Sequence, residues 1–422
     1  MIHARLGFLL LPLTLAACQT PDEGANSASS LAGPPAMETG GPASSRAIGM
    51  GPLLLHGGGA SGERAFLRKL VELSGPDPRI CTVRVTGSRP GYTTRSERII
   101  VLDAAAAESI ETAQQLADCT GLYIAPADPR RLAELLRPGG QDSPALSVLR
   151  QRRTAGAPIA LIGTSANAAG PSELPEGASD SSAAALLQDR IPVAPGLALA
   201  DGVLVDTHFF RKGLLGRHIR ALAAAGVERG IGLDEAAMVL ARPDGQWEVA
   251  GDQPVALVER PSGAPPDQTT GYRLSLLRAG DRFDPHTGSV TPGGGRTPAP
   301  MPPDSQRALA RTEAFAPDAL RQLAERLAQS PTDRAIARAE GGRVRVTLRK
   351  LEDTRVYAGA GGSTIIGLGV DVERVRRIPE GVIPASVPAA AQAAPAAAPS
   401  TPDTKRTAVA PPRKQNLSSG RK

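Results

Sequence analysis

Aromatic residues are scarce, at 3% of 422 residues with a single Trp. Ala, Gly and Pro are abundant instead, which implies linkers and low-complexity tails around a smaller folded part. Cysteine is limited to three residues, Cys18, Cys81 and Cys119, and no histidine cluster lies near any of them. A metal site is therefore not expected, and no cofactor motif is present. After the N-terminal segment no stretch is long and apolar enough to span a bilayer. The net charge of +6 does not mark a nucleic-acid groove either, because the excess sits in the last residues. There Lys405, Arg406, Arg413, Lys414, Arg421 and Lys422 face one acid, Asp403. Such a tail stays solvated or touches anionic surfaces, and no nucleic-acid partner is expected.

The N-terminus carries a targeting signal. Arg5 precedes the apolar run Leu6 to Leu15, too short for a stable transmembrane anchor, and Leu15-Ala16-Ala17-Cys18 closes it. These four residues resemble the lipobox of bacterial lipoproteins, which would make Cys18 the lipidated first residue of the mature chain. A plain secretory signal with an incidental cysteine is the alternative. Gln19 follows in place of an acidic residue, which favours the outer membrane, so a lipid-anchored cell-envelope protein is expected. Cys81 and Cys119 would then meet oxidising conditions, where they either pair or remain two separately buried small residues.

Five segments divide the chain: a signal over 1–18, a flexible linker over 19–49, a folded α/β domain over 50–290, an extension over 291–383, and an Ala/Pro-rich, then basic, tail over 384–422 expected to be disordered. Within the folded domain, short apolar runs alternate with helical spacing. Strands are expected at 51–56, 80–85, 98–102, 121–125 and 158–162, and helices near 66–73, 104–117, 130–136 and 146–153. That alternation implies a doubly wound, mostly parallel sheet in an α/β/α sandwich. Ligands bind such sheets at the C-terminal strand ends. Three features fall there: Gly57-Gly58-Gly59, the loop from Ala125 to Pro129, and Gly163-Thr164-Ser165-Ala166-Asn167.

The last of these has the build of a nucleophile elbow, a tight strand-to-helix turn that exposes a serine oxygen beside backbone N–H donors. An ordinary turn in which the serine caps a helix has the same look. An activated serine needs a base and a group to hold the base. His208, ending a strand after Asp206, is the best-placed base, and Glu235, ending another, the best-placed carboxylate. In the plainer reading Asp206 and His208 form a local turn pair and Asp234-Glu235 a helix cap.

Together these segments resemble the cyanophycinase-like family, which groups with peptidase E among the serine peptidases. Gly163-Thr164-Ser165-Ala166 matches the nucleophile motif, Asp206-Thr207-His208-Phe209 is similar to the histidine motif, and Gly230-Ile231-Gly232-Leu233-Asp234-Glu235 to the carboxylate motif. The resemblance covers roughly Gly51 to Asp284. It implies a flavodoxin-like fold with a small C-terminal appendage, and a triad in the order Ser165, His208, Glu235, unlike the order of α/β-hydrolases. Ser165 would attack a carbonyl, His208 take its proton and Glu235 orient the imidazole, with the backbone at Gly58 and Ala166 holding the oxyanion. Asp128, Asp206, Thr207, Lys212 and Arg217 would contact an aspartyl- or β-aspartyl-linked peptide. A homodimer is compatible with the sequence. Such a triad requires the Ser165 oxygen within hydrogen-bond reach of His208 Nε2.

Three positions depart from the family pattern. Asn167 replaces the second small residue after the nucleophile. Pro126-Ala127-Asp128-Pro129 replaces Gly-Gly-Asp-Gln, and a proline offers no oxyanion N–H. Lys212-Gly213-Leu214 replaces Arg-Gly-Arg, and lysine lacks the bidentate fork of arginine. These changes imply an altered substrate preference. They also define the alternative, a catalytically inactive lipoprotein that binds a peptide on the same fold. A glutaminase-like cysteine enzyme is disfavoured, because the elbow carries serine and the cysteines lie elsewhere.

Overall fold

A computed structural model describes residues 50–88, 98–174, 182–187, 191–300, 309–311 and 313–375. The expected lipidation site Cys18, the linker over 19–49 and the tail over 384–422 lie outside the described residues.

Five strands form the parallel part of the first sheet, in the spatial order 98–102, 80–85, 121–124, 159–162, 53–56. The strand 53–56 sits beside 159–162 with Leu53 opposite Ile159 and His56 opposite Ile162. Both strands are buried on both faces, which is why they read as unbroken apolar runs instead of alternating ones. The helix 60–73 covers one face through Phe66 and Leu70, packed on Leu54, Tyr123 and Ile162. Helices 129–136 and 144–154 cover the other through Leu132, Leu136, Leu146 and Leu149. The single helix expected over 104–117 is two, broken at Ser109. That residue adopts an extended conformation and its Oγ accepts from Glu111 N–H at 3.2 Å, so the second helix starts from its own cap. Beyond the strand 53–56 the sheet continues antiparallel through 237–241 and 247–251.

A second sheet begins with the parallel pair 203–207 and 229–233 and turns antiparallel through 255–259 and 272–277. Its period-two alternation divides two cores. Val203, Val205, Ile231, Val255 and Leu257 face the core shared with the first sheet. Leu204, Ala256, Val258 and Leu274 face a second core with the helix 215–225. The C-terminal residues, read as an appendage, join that same sheet. The strand 364–374 pairs with both 272–277 and 344–349, and 344–349 pairs with 334–339. The helix 319–329 seals this core with Leu320, Leu323 and Leu327.

Cys81 and Cys119 are joined in a disulfide that ties the start of the strand 80–85 to the turn before 121–124. It closes a loop with a sequence separation of 38. In the chain-entropy picture this contributes about 3–4 kcal/mol. Reduction, or replacement of both cysteines by alanine, is expected to lower the urea midpoint by the corresponding amount, measured with and without reductant.

Candidate active site

The glycine triplet lies where three elements meet. The strand 53–56 ends at His56, whose ring is buried beside Phe66 at 5.1 Å. Its Nδ1 accepts the Gly58 N–H at 3.0 Å, and the Gly58 carbonyl accepts Ala236 N–H at 3.2 Å. Because Nδ1 accepts, the imidazole proton resides on Nε2. Burial lowers the His56 pKa to about 4, so the ring is neutral near pH 7. Gly58 and Gly59 have φ of +95° and +82°. A Cβ on Gly58 would stand 3.2 Å from Gly163 Cα and 3.9 Å from His208 Cε1. One on Gly59 would fall 2.9 Å from the Glu235 side chain. Glycine is needed here by close approach as well as by backbone angle, and the same contacts place Gly163 and His208 against Gly58, and Glu235 against Gly59.

Ser165 is turned away from that point. Its Oγ is fully buried, donates to the Ala125 carbonyl at 2.7 Å and accepts Ala127 N–H at 2.8 Å. The expected hydrogen bond to His208 Nε2 is not formed. The left-handed residue of the turn is Gly163, at φ +58°, two positions before the serine. Thr164 follows the same direction, donating from Oγ1 to the Ala127 carbonyl at 2.7 Å. Gly58 does not serve as an oxyanion donor in this arrangement, since its N–H points to His56. Ala166 is buried within the short helical turn 163–168.

The family-departing Asn167 has a defined role. Its Oδ1 accepts Thr207 N–H at 2.9 Å, tying the serine turn to the strand end that delivers His208. Residue 167 keeps a negative φ, which leaves the side chain free to bond across.

The residues expected to contact substrate fall in different places. Asp128 caps the helix 129–136, accepting Arg131 N–H at 2.8 Å. Asp206 is fully buried, 3.4 Å from Arg217 Nη2 and 3.5 Å from His218 Nδ1. Thr207 is buried beside it, and Lys212 is exposed. Asp206 and Arg217 thus brace the strand 203–207 against the helix 215–225.

Two further carboxylates have roles that the motifs do not announce. Asp234, nearly buried, accepts Phe210 N–H at 2.8 Å and Arg211 N–H at 3.0 Å, and so holds the turn after His208. His208 needs such support because its φ is +59°, a region costly for a side chain with a Cβ. The pairing was hidden because an Asp before a Glu at a strand end looks like an ordinary cap. Glu173 is 1% exposed, and its Oε2 has no hydrogen-bond partner among the described residues. Burial, with Asp128 nearby, raises its pKa to about 7. The folded chain therefore binds this proton more tightly than the unfolded chain. Stability is expected to fall as pH rises from about 4.5 to about 7, and Glu173→Gln to flatten that slope in urea titrations.

Among the described residues no group of three or more His, Cys, Asp or Glu side chains is placed to hold a metal ion. None of their helices is long and apolar enough to cross a membrane.

The serine, histidine and carboxylate motifs thus stand in this order at the strand ends of an α/β sheet. Comparison with known proteins identifies the family. The chain is 32% identical over 212 residues to a cyanophycinase of Trichormus variabilis, a match covering 47% of this chain and 68% of the relative. It is 35% identical over 163 residues to a cyanophycinase of Synechococcus elongatus, covering 38% and 48% respectively. The chain belongs to the cyanophycinase-like peptidase family. No family model matches it. Among solved structures, a peptidase from an acI-B1 actinobacterium aligns over 57% of this chain and 98% of its own, at 18% identity and a TM-score of 0.43.

Proposed function

We propose that this chain is a serine-type exopeptidase of the cell envelope, with Ser165 as a nucleophile held in reserve. The observation that carries this reading is the convergence of Gly163, His208 and Glu235 on Gly58 and Gly59. Ser165 stands two residues from that point, and a change of χ1 frees its Oγ from Ala125 and Ala127. Attack on the scissile carbonyl then forms the Ser165 ester as the serine proton passes to His208. That proton goes to the leaving amine, and water releases the acid. Glu235 orients the imidazole. Members named cyanophycinase suggest an aspartyl- or β-aspartyl-linked peptide as the substrate class, altered here by Pro126, Lys212 and Leu214. The Cys81–Cys119 disulfide supports an oxidising compartment, consistent with export and a lipid anchor at Cys18.

The second reading, an inactive peptide-binding lipoprotein, is favoured by the inward hydrogen bonds of Ser165 and the engaged N–H of Gly58. A fluorophosphonate probe separates the two. Labelling of the purified chain that is lost in Ser165→Ala supports the peptidase. Folded wild type that is neither labelled nor able to cleave aspartyl dipeptides establishes the inactive reading.

A further inference from the structure

The turn over 208–214 is held from three directions, and one of them is the C-terminal extension. Asp234 takes the N–H groups of Phe210 and Arg211. Ser182 Oγ donates to the Gly213 carbonyl and accepts Gly216 N–H at 2.9 Å. From the far side of the sequence, Asp318 N–H donates to the Phe210 carbonyl at 2.9 Å. The backbone of Phe315 lies flat against Gly213, so close that a Cβ there would stand 2.2 Å from the Phe315 carbonyl oxygen. Phe210 is thus fixed at both ends of one residue, by the strand-end carboxylate on its N–H and by the extension on its carbonyl. Two residues before it, His208 holds its left-handed φ of +59°.

The extension is firmly founded. Ala314 N–H donates to Arg338 O at 2.8 Å, Phe315 packs against the second core, and Asp318 leads directly into the helix 319–329. Asp318 itself has φ +58°, and its carboxylate pairs with Arg321 at 3.2 Å. A strained residue kept in place by an ion pair, a core helix and a contact to another loop marks a segment held to one position.

We infer that the segment over 313–318 is a positioning element for His208: the C-terminal extension sets the orientation of the imidazole through Phe210 and Gly213. This deepens the peptidase reading and rests on His208 being the base, yet its test need not depend on turnover. Asp234 alone would hold the two N–H groups. Without Asp318 the Phe210 carbonyl keeps only the longer bond from Gly213 N–H, at 3.2 Å, and the turn can relax the unfavourable φ of His208.

The test uses the full chain with carbon-13-labelled histidine, His208 being assigned through His208→Gln. Gly213→Ala drives a methyl into the Phe315 backbone at a position with φ +62°. Phe315→Ala loosens the segment with no clash, and serves if the first variant does not fold. In either variant the His208 ring resonance is expected to shift, while the His286 resonance stays fixed. Asp318→Gly keeps the N–H and accepts the left-handed angle, so it should leave His208 unchanged. Where the wild type cleaves peptide, both loosening variants should lower kcat several-fold with KM nearly constant. Unmoved His208 resonances in folded Phe315→Ala and Gly213→Ala would overturn the inference. Absence of turnover in wild type with shifted resonances would remove the peptidase reading and leave the positioning role intact.

Discussion

Ser165→Ala is expected to abolish fluorophosphonate labelling and to cut peptide hydrolysis by about 10⁴-fold or more, as removal of a serine nucleophile does when the remaining groups have nothing to activate. The same substitution should also destabilise the fold. The hydroxyl is the donor to Ala125 O and the acceptor for Ala127 N–H. Alanine leaves both backbone groups buried and unpaired, at about 1–3 kcal/mol. The two effects separate cleanly: the urea midpoint drops modestly, and the activity disappears. The inward bonds also set the wild-type rate. Turning Oγ outward breaks two hydrogen bonds, so the competent rotamer is a minor state, and apparent reactivity is scaled down by its population. Labelling is therefore expected to be slow and to accelerate when the loop over 125–129 is loosened, as in Pro126→Gly. That variant also restores an N–H at residue 126. A labelling rate unaffected by Pro126→Gly would count against the reserve state.

How far the sequence reveals this arrangement depends on the scale of the feature. The parallel strands are legible because fully buried segments such as Leu53–His56 and Ile159–Ile162 must be apolar throughout. The motifs locate His208 and Glu235 beside the glycines, since a strand-end residue is fixed once the strand is. The orientation of Ser165 is another matter. It turns on whether the left-handed residue is Gly163 or the serine, a choice of a few kcal/mol made by the loop over 125–127 from the neighbouring strand. The role of Asn167 is hidden because its partner, Thr207 N–H, lies forty residues away. The extension looked separable because its strands are split by Gly- and Pro-rich stretches. Their pairing partner at 272–277 is far away along the chain.

Arg217→Leu is expected to destabilise the chain by about 3–5 kcal/mol, the largest effect of any single surface-remote substitution in the site. The guanidinium lies within 3.4 Å of Asp206, and the two side chains are 5% and 0% exposed. Removing the cation leaves a fully buried carboxylate with only His218 Nδ1 beside it, at 3.5 Å, and the cost comes from the partner left behind more than from the attraction lost. Arg217 also stands close enough to Glu173 to lower its pKa, against the upward push of burial, so its loss should drive that pKa further up. The double variant Asp206→Leu/Arg217→Leu removes both charges. It should recover a large part of the stability lost in Arg217→Leu, giving a favourable coupling of at least about 1 kcal/mol in a double-mutant cycle. Urea unfolding of the four chains at pH 7 measures this directly. A loss below 1 kcal/mol in Arg217→Leu, or additive single effects, would mean that water or other groups compensate Asp206. In that case the strand 203–207 would not depend on the helix 215–225 to present His208.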